Sequence, residues 1–171
     1  MENAALLKAI IDNAIDGIIT ISDRGIVESI NPAACALFGY STEEVIGNNV
    51  SMLMPPPDKE RHDGYIARYQ RTGDPHIIGI GREVTGLTKD GKRFPFRLGV
   101  SEVQFLGRKV FAGFIHDLTK QKEAEELVKE YTLHLEEQID ERTRSLKELV
   151  IELQESKAEV SLSLEKEKEL S

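Results

Sequence analysis

The chain holds a single cysteine, Cys35, in 171 residues, so neither an internal disulfide framework nor a CxxC metal site can be built from it. Long apolar runs are missing too. Nothing approaches the roughly 18 consecutive apolar residues of a membrane-spanning helix, and MENAALLKAI at the start has no basic region ahead of an apolar run, so no secretion signal is visible. The default expectation is a cytoplasmic protein with no membrane contact. Positive charge is scarce: 22 basic side chains against 30 acidic ones give a net charge of -8. Nucleic-acid affinity needs a basic patch, and none is present. No GxxxxGK loop occurs, the carboxylate pairs are scattered, and no glycine follows Gly113 to build an ATP lid, so this chain is not expected to be an enzyme. What remains is 40% hydrophobic content, enough for a core.

Helix breakers also run out part-way along. Pro95 is the last proline and Gly113 the last glycine, so Phe114 onward is free of both. Residues 1–119 carry 15 acidic and 13 basic side chains, and residues 120–171 carry 15 and 9, which sets a compositional boundary near Asp117-Leu118-Thr119. Beyond it, Val128, Tyr131, Leu135, Ile139, Leu146, Leu149, Leu153, Val160 and Leu164 recur at steps mostly of three or four, a coiled-coil seam. The passage through Arg142 or Thr143 suggests a stutter, and Ser156 is a second polar gap. A helix over 120–171 would be about 78 Å long and would leave its apolar stripe in water. A parallel homodimer is the simplest remedy. A solvated single helix or a flexible charged tail is the alternative.

Before the boundary the pattern is α+β. Residues 1–14 read as an amphipathic helix, which joins the long helix as a dimer contact, and 15–119 read as one domain. GIITIS and GIVESIN are short strands joined by the turn Asp23-Arg24-Gly25. Asn31-Pro32 opens a helix with asparagine as cap and proline in the first turn, and Ser41-Thr42-Glu43-Glu44 looks like another helix start. A loop ends at Pro57, and a helix runs from about Asp58 to Arg71, stopped by Gly73. IIGIGREVTGLT, RFPFRLGVSEV and KVFAGFIHDLT make a three-strand meander. The architecture predicted is a five-stranded antiparallel sheet with helices on one face and a hollow beside His62. Phe94, Phe96, Leu98 and Val100 share one strand face, as do Phe111, Gly113 and Ile115. Gly79, Gly81 and Gly113 would let a ligand approach the backbone.

These residues resemble a PAS domain, through DGIITISDRGIVESINPAACALFGY, GNNVSMLMP, DGKRFPFRLGVSE and the closing GFIHDLT. Within that family, RHDGYIARYQRTGDPHIIGIGREVTG is similar to the haem-binding segment of the FixL-type oxygen sensors. The resemblance implies that His62 is the axial ligand of a haem b iron and that Arg68 and His76 contact the propionates. It makes Arg82 the residue that moves between a propionate and a bound diatomic gas, for which O2 is the first candidate. Ile77, Ile80, Leu98 and Val100 match the apolar distal wall, with Phe111 and Gly113 facing the same hollow. The chain departs from the pattern at His116, where arginine is expected. Bottom-up chemistry is compatible: one neutral imidazole leaves the opposite face of an iron open, and apolar walls keep water out. Arg68 lies six residues past His62, roughly 9 Å along a helix.

Other readings of the same residues stay open. His62 among Lys59, Arg61 and Asp63 could be a surface or packing histidine, and Arg82 could pair with Glu83 or Glu102. His76 after Asp74-Pro75 could be a turn residue, and Cys35 a small buried helix residue. The domain could then be a cargo-free PAS pairing module, or one that binds an organic metabolite. A flavin-adduct photosensor would need a cysteine where GNNVSMLMP stands. His134 is no phosphoacceptor, because it is followed by Leu135 and no downstream proline. LEEQIDERTRSLKEL is similar to the linker helix after PAS domains in sensor histidine kinases and, less specifically, in diguanylate cyclases. The resemblance implies downstream kinase domains and a response regulator as partners.

Overall fold

The structure is a computed structural model and describes residues 2–73, 79 and 81–170. It divides into two compact units, Met1–Lys122 and Glu123–Ser171. Helix α1 spans Glu2–Asp12 and precedes the hairpin β1 (Gly17–Ser22) and β2 (Val27–Ile30). Then come α2 (Pro32–Phe38), α3 (Thr42–Val45), a 3-10 turn at Val50–Leu53, and α4 (Asp58–Thr72). The meander is β3 (Arg82–Leu87), β4 (Arg93–Phe105) and β5 (Arg108–Asp117). All strand pairs are antiparallel, in the order β2-β1-β5-β4-β3. The expected α+β sheet with five strands is therefore what forms.

Local chemistry explains the helical face. Asn31, 2% exposed, accepts hydrogen bonds at Oδ1 from the Ile18 and Ala34 N–H groups. Its Nδ2 donates to the carbonyls of Ile11 and Asp16. One side chain thus caps α2 and ties it to β1 and to the end of α1. Gly39 closes α2 at φ 76°, where a Cβ would strain the chain. Glu44 reaches back to the Ser41 N–H at 2.9 Å, the capping contact that the STEE motif predicts. Asn49 Oδ1 accepts from the Ser51 N–H and starts the 3-10 turn, an element the sequence pattern did not announce.

The helices cover one sheet face, and the core lies there. Phe38 of α2 meets Phe94 and Phe96 edge-on, at centroid distances of 5.2 and 6.0 Å. Each such ring, when fully buried, contributes about 1.5–3 kcal/mol. Gly86 on edge strand β3 has no side chain because these rings press on it: a Cβ there would stand 2.8 Å from Phe94.

The strand expected over Ile77–Thr88 is present only as β3, Arg82–Leu87: Gly79 is a turn residue with positive φ and Gly81 precedes the strand, while Ile77, Ile78 and Ile80 lie outside the described residues. β4 runs on to Phe105 and pairs it with Arg108, so the turn is only Leu106-Gly107, both with positive φ. After β5, Asp117 Oδ1 accepts from the N–H and hydroxyl of Thr119. Leu118 is fully buried and its N–H donates to the Pro95 carbonyl at 3.0 Å. From there α5 runs as one helix, Thr119–Glu169. Its apolar residues, among them Val128, Leu135, Ile139, Leu149 and Leu153, are all exposed.

Candidate functional site: an apolar cavity behind α4

Cross-strand register decides which side chains face the helices. Ile19 pairs with Gly113, Val100 with Gly113, Leu98 with Ile115, and Arg82 with Leu98, so all of these share the inner face. Between that face and the helices lies a cavity of about 80 Å³. Leu98, Val100, Phe111 and Gly113 form its meander side, and Phe38, Leu53 and Met54 the helical side. Into it comes His62 from α4, the one ionisable side chain among the described lining residues.

The His62 side chain is only 19% exposed, and its Nδ1 is buried without a hydrogen-bond partner among the described residues. Asp63 Oδ1 stands 3.9 Å away, beyond hydrogen-bond reach, and accepts instead from Asn49 Nδ2 at 2.9 Å. Burial pulls the imidazole below the usual histidine range, with Asp63 working in the opposite direction. A neutral imidazole in the lining of an apolar cavity, with one nitrogen unsatisfied, can ligate a soft or borderline metal, or hydrogen-bond an organic guest. A buried polar atom left unpaired costs free energy, so the arrangement calls for a partner.

No residue of α4 is fully buried, although His62, Ile66 and Tyr69 are half-buried, and side-chain contacts tie the helix down. The Tyr69 hydroxyl donates to Glu102 Oε2 at 2.8 Å while its ring meets Phe111 edge-on, and Gln70 donates to the Asp23 carbonyl. The Glu102 acceptor pushes the Tyr69 hydroxyl upward in pKa, and the same bond lowers Glu102.

Of the residues expected at the site, His62, Leu98, Val100, Phe111 and Gly113 come together around the cavity. Arg68 sits exposed on α4, and Arg82 is exposed at the start of β3, on the inner face but not in the lining. His76, Ile77 and Ile80 lie outside the described residues. The carboxylates weighed as partners of Arg82 are engaged elsewhere, Glu83 with Lys122 at 2.9 Å and Glu102 with Lys109 at 3.2 Å. His116, in place of the expected arginine, sits 2.7 Å from Asp16. Sequence reasoning missed Ile19, Ile21, Phe38, Val50, Leu53 and Met54 as lining residues. The apolar cluster VSMLM was the available signal, but only the return of the chain over the sheet gives it a direction.

A family model described as the PAS fold matches residues 5–118. The chain belongs to the PAS family. This PAS chain is 47% identical over 124 residues to the sensor protein FixL of Bradyrhizobium diazoefficiens, covering 72% of the chain and 25% of FixL. It is 31% identical over 131 residues to the oxygen sensor protein DosP of Escherichia coli, covering 70% of the chain and 16% of DosP. The chain thus spans a quarter or less of the length of these relatives. Among solved structures, the PAS domain of an HTR-like protein from Haloarcula marismortui superposes with a TM-score of 0.56 at 21% identity, covering 68% of this chain and 92% of that one. At that identity the likeness speaks for the PAS fold alone.

Proposed function

We propose that this PAS domain is the sensory module of a longer signalling protein, that it holds haem b through His62, and that it reports a diatomic gas, O2 first. The observation that carries the reading is His62 itself, largely buried in the lining of an apolar cavity with a ring nitrogen that has no hydrogen-bond partner among the described residues. Similarity to relatives named as a sensor and an oxygen sensor supports it.

Bound haem would supply an iron with one face open to a gas. The chain's own residues would do the rest. His62, kept neutral by burial, would present its nitrogen without first losing a proton. Leu98 and Val100 would exclude water, joined by Ile77 and Ile80 as the resemblance implies. Arg68 and His76 would meet the propionates, and Arg82, already on the inner face, would turn toward the cavity. The change would pass through the meander and the Asp117-Leu118-Thr119 junction into α5. Two copies would pair through α5 and α1, with kinase domains and a response regulator downstream.

The cavity, about 80 Å³, is well below a macrocycle's needs; ligand sites hold roughly 300–1,000 Å³. Admission would require α4 to move outward, breaking the Tyr69–Glu102 and Gln70–Asp23 hydrogen bonds but pulling no fully buried residue from the core. The small volume favours a second reading, a PAS pairing and relay module with no cargo. Absorbance of the haem-reconstituted chain, with dithionite and then carbon monoxide, separates the two. A Soret band that shifts with carbon monoxide and is absent from His62→Ala supports sensing. A chain that takes up no haem supports the relay module.

A further inference from the structure

β3 turns its first two residues to opposite sides of the sheet. Arg82 stands across from Leu98, which lines the cavity, and Glu83 stands across from Arg97 on the other face. The Glu83 carboxylate reaches the Lys122 ammonium at 2.9 Å, one turn into α5. The Lys122 N–H donates to the carbonyl of buried Leu118, whose own N–H is bound to Pro95 of β4. The base of α5 therefore touches β4 through backbone and β3 through this ion pair. Thr85 of β3 pairs with Pro95 and Glu83 with Arg97, so the two attachments lie two residues apart along the same β3–β4 ladder.

We infer that the Glu83–Lys122 ion pair is the contact through which β3 sets the first turn of α5, so that displacement of Arg82 on the cavity side reaches the outgoing helix through its immediate neighbour. The use as a signal relay rests on the sensory reading above; the mechanical coupling does not. Glu83 also has a second cation within range, because directly opposed residues on paired strands hold their Cβ atoms about 4.5–5.5 Å apart and Arg97 is the opposed residue. A small shift of β3 can pass the carboxylate from Lys122 to Arg97. Since exposed pairs bind weakly, the contact biases the helix base and does not clamp it.

Hydrogen exchange by mass spectrometry on the full chain tests this, without haem and with haem b plus carbon monoxide. In the haem-free chain, Glu83→Gln and Lys122→Gln should each speed exchange over 119–126 by about two- to fivefold, the range an exposed ion pair supports. The double variant should be no faster than either single one, and the reversed pair E83K/K122E should restore the slow rate. With haem and carbon monoxide, wild type should change its exchange over 119–126, whereas the single variants should show the same visible spectrum and no such change. If the single variants exchange like wild type without haem, or the reversed pair does not restore the rate, the coupling is overturned. If wild type takes up no haem, the sensory reading fails, and the haem-free comparison still decides the coupling.

Discussion

Replacing His62 by leucine should make the haem-free protein more stable, an outcome opposite to that of most core substitutions. The imidazole leaves a buried nitrogen unpaired among Leu53, Leu98, Phe111 and other apolar neighbours. Such an atom costs about 1–3 kcal/mol, and its 19% exposure puts the cost at the lower end. Leucine has no polar atom to strand and gains from burial, so the net change at pH 7.5 should be about 1–2 kcal/mol in favour of the variant, a rise in Tm of about 3–8 °C. The pH dependence adds a second signature. Burial depresses the folded-state pKa below 6.5, so as pH falls below that value the unfolded chain binds the proton first. Wild type then loses stability, by at most about 1.4 kcal/mol per pH unit. The leucine variant has no such proton to bind, so its advantage should widen between pH 6.5 and 5.5. Urea unfolding followed by tyrosine fluorescence reports the first unit through Tyr40, Tyr65 and Tyr69. A variant less stable than wild type at pH 7.5, or one with an unchanged pH slope, would refute the placement of His62 as an unpartnered group in an apolar wall.

Three further outcomes are expected. Asn31→Ala removes the acceptor for two backbone N–H groups and the donor for two carbonyls, and should cost about 2–4 kcal/mol by urea unfolding at pH 7.5. Gly86→Ala drives a methyl group to 2.8 Å from the Phe94 ring and should cost about 1–3 kcal/mol in the same assay. In sedimentation equilibrium, the full chain should have a larger mass per particle than its subunit while a chain ending at Thr119 associates less, and Arg142→Leu should strengthen self-association by about tenfold or more. Seven-residue steps link Ile139, Leu146, Leu153 and Val160, and equally Val128, Leu135, Arg142 and Leu149, so in a paired helix Arg142 would form a polar layer.

Elements with strong local chemistry were legible from the residues alone. Asn31-Pro32 announced α2, the STEE motif announced α3, Gly73 ended α4, and the absence of glycine and proline after Gly113 announced α5. Period-two alternation placed Leu98, Val100 and Phe111 on the face that lines the cavity. Less legible was whatever depends on distant chain segments meeting. Asn49 carries no sign that it will start a 3-10 turn and also bind Asp63. Glu83 and Glu102 looked equally available to Arg82, yet Lys122 and Tyr69 hold them, from elements 39 and 33 residues away in sequence. The cavity lies where Phe38, Leu53, Met54 and His62, from separate helical segments, meet the sheet, which no pattern along the chain encodes. For α5, an apolar stripe defines a face that needs covering and leaves the covering partner to experiment.

If His62 is to hold a flat macrocycle, the pocket beside α4 has to open for it. Titration of the full chain with haem b, read at the Soret band, tests it most directly. Saturation at one haem per chain, with His62→Ala failing to produce the same band, is the result predicted. A titration that never saturates, or an alanine variant that binds as wild type does, would contradict it.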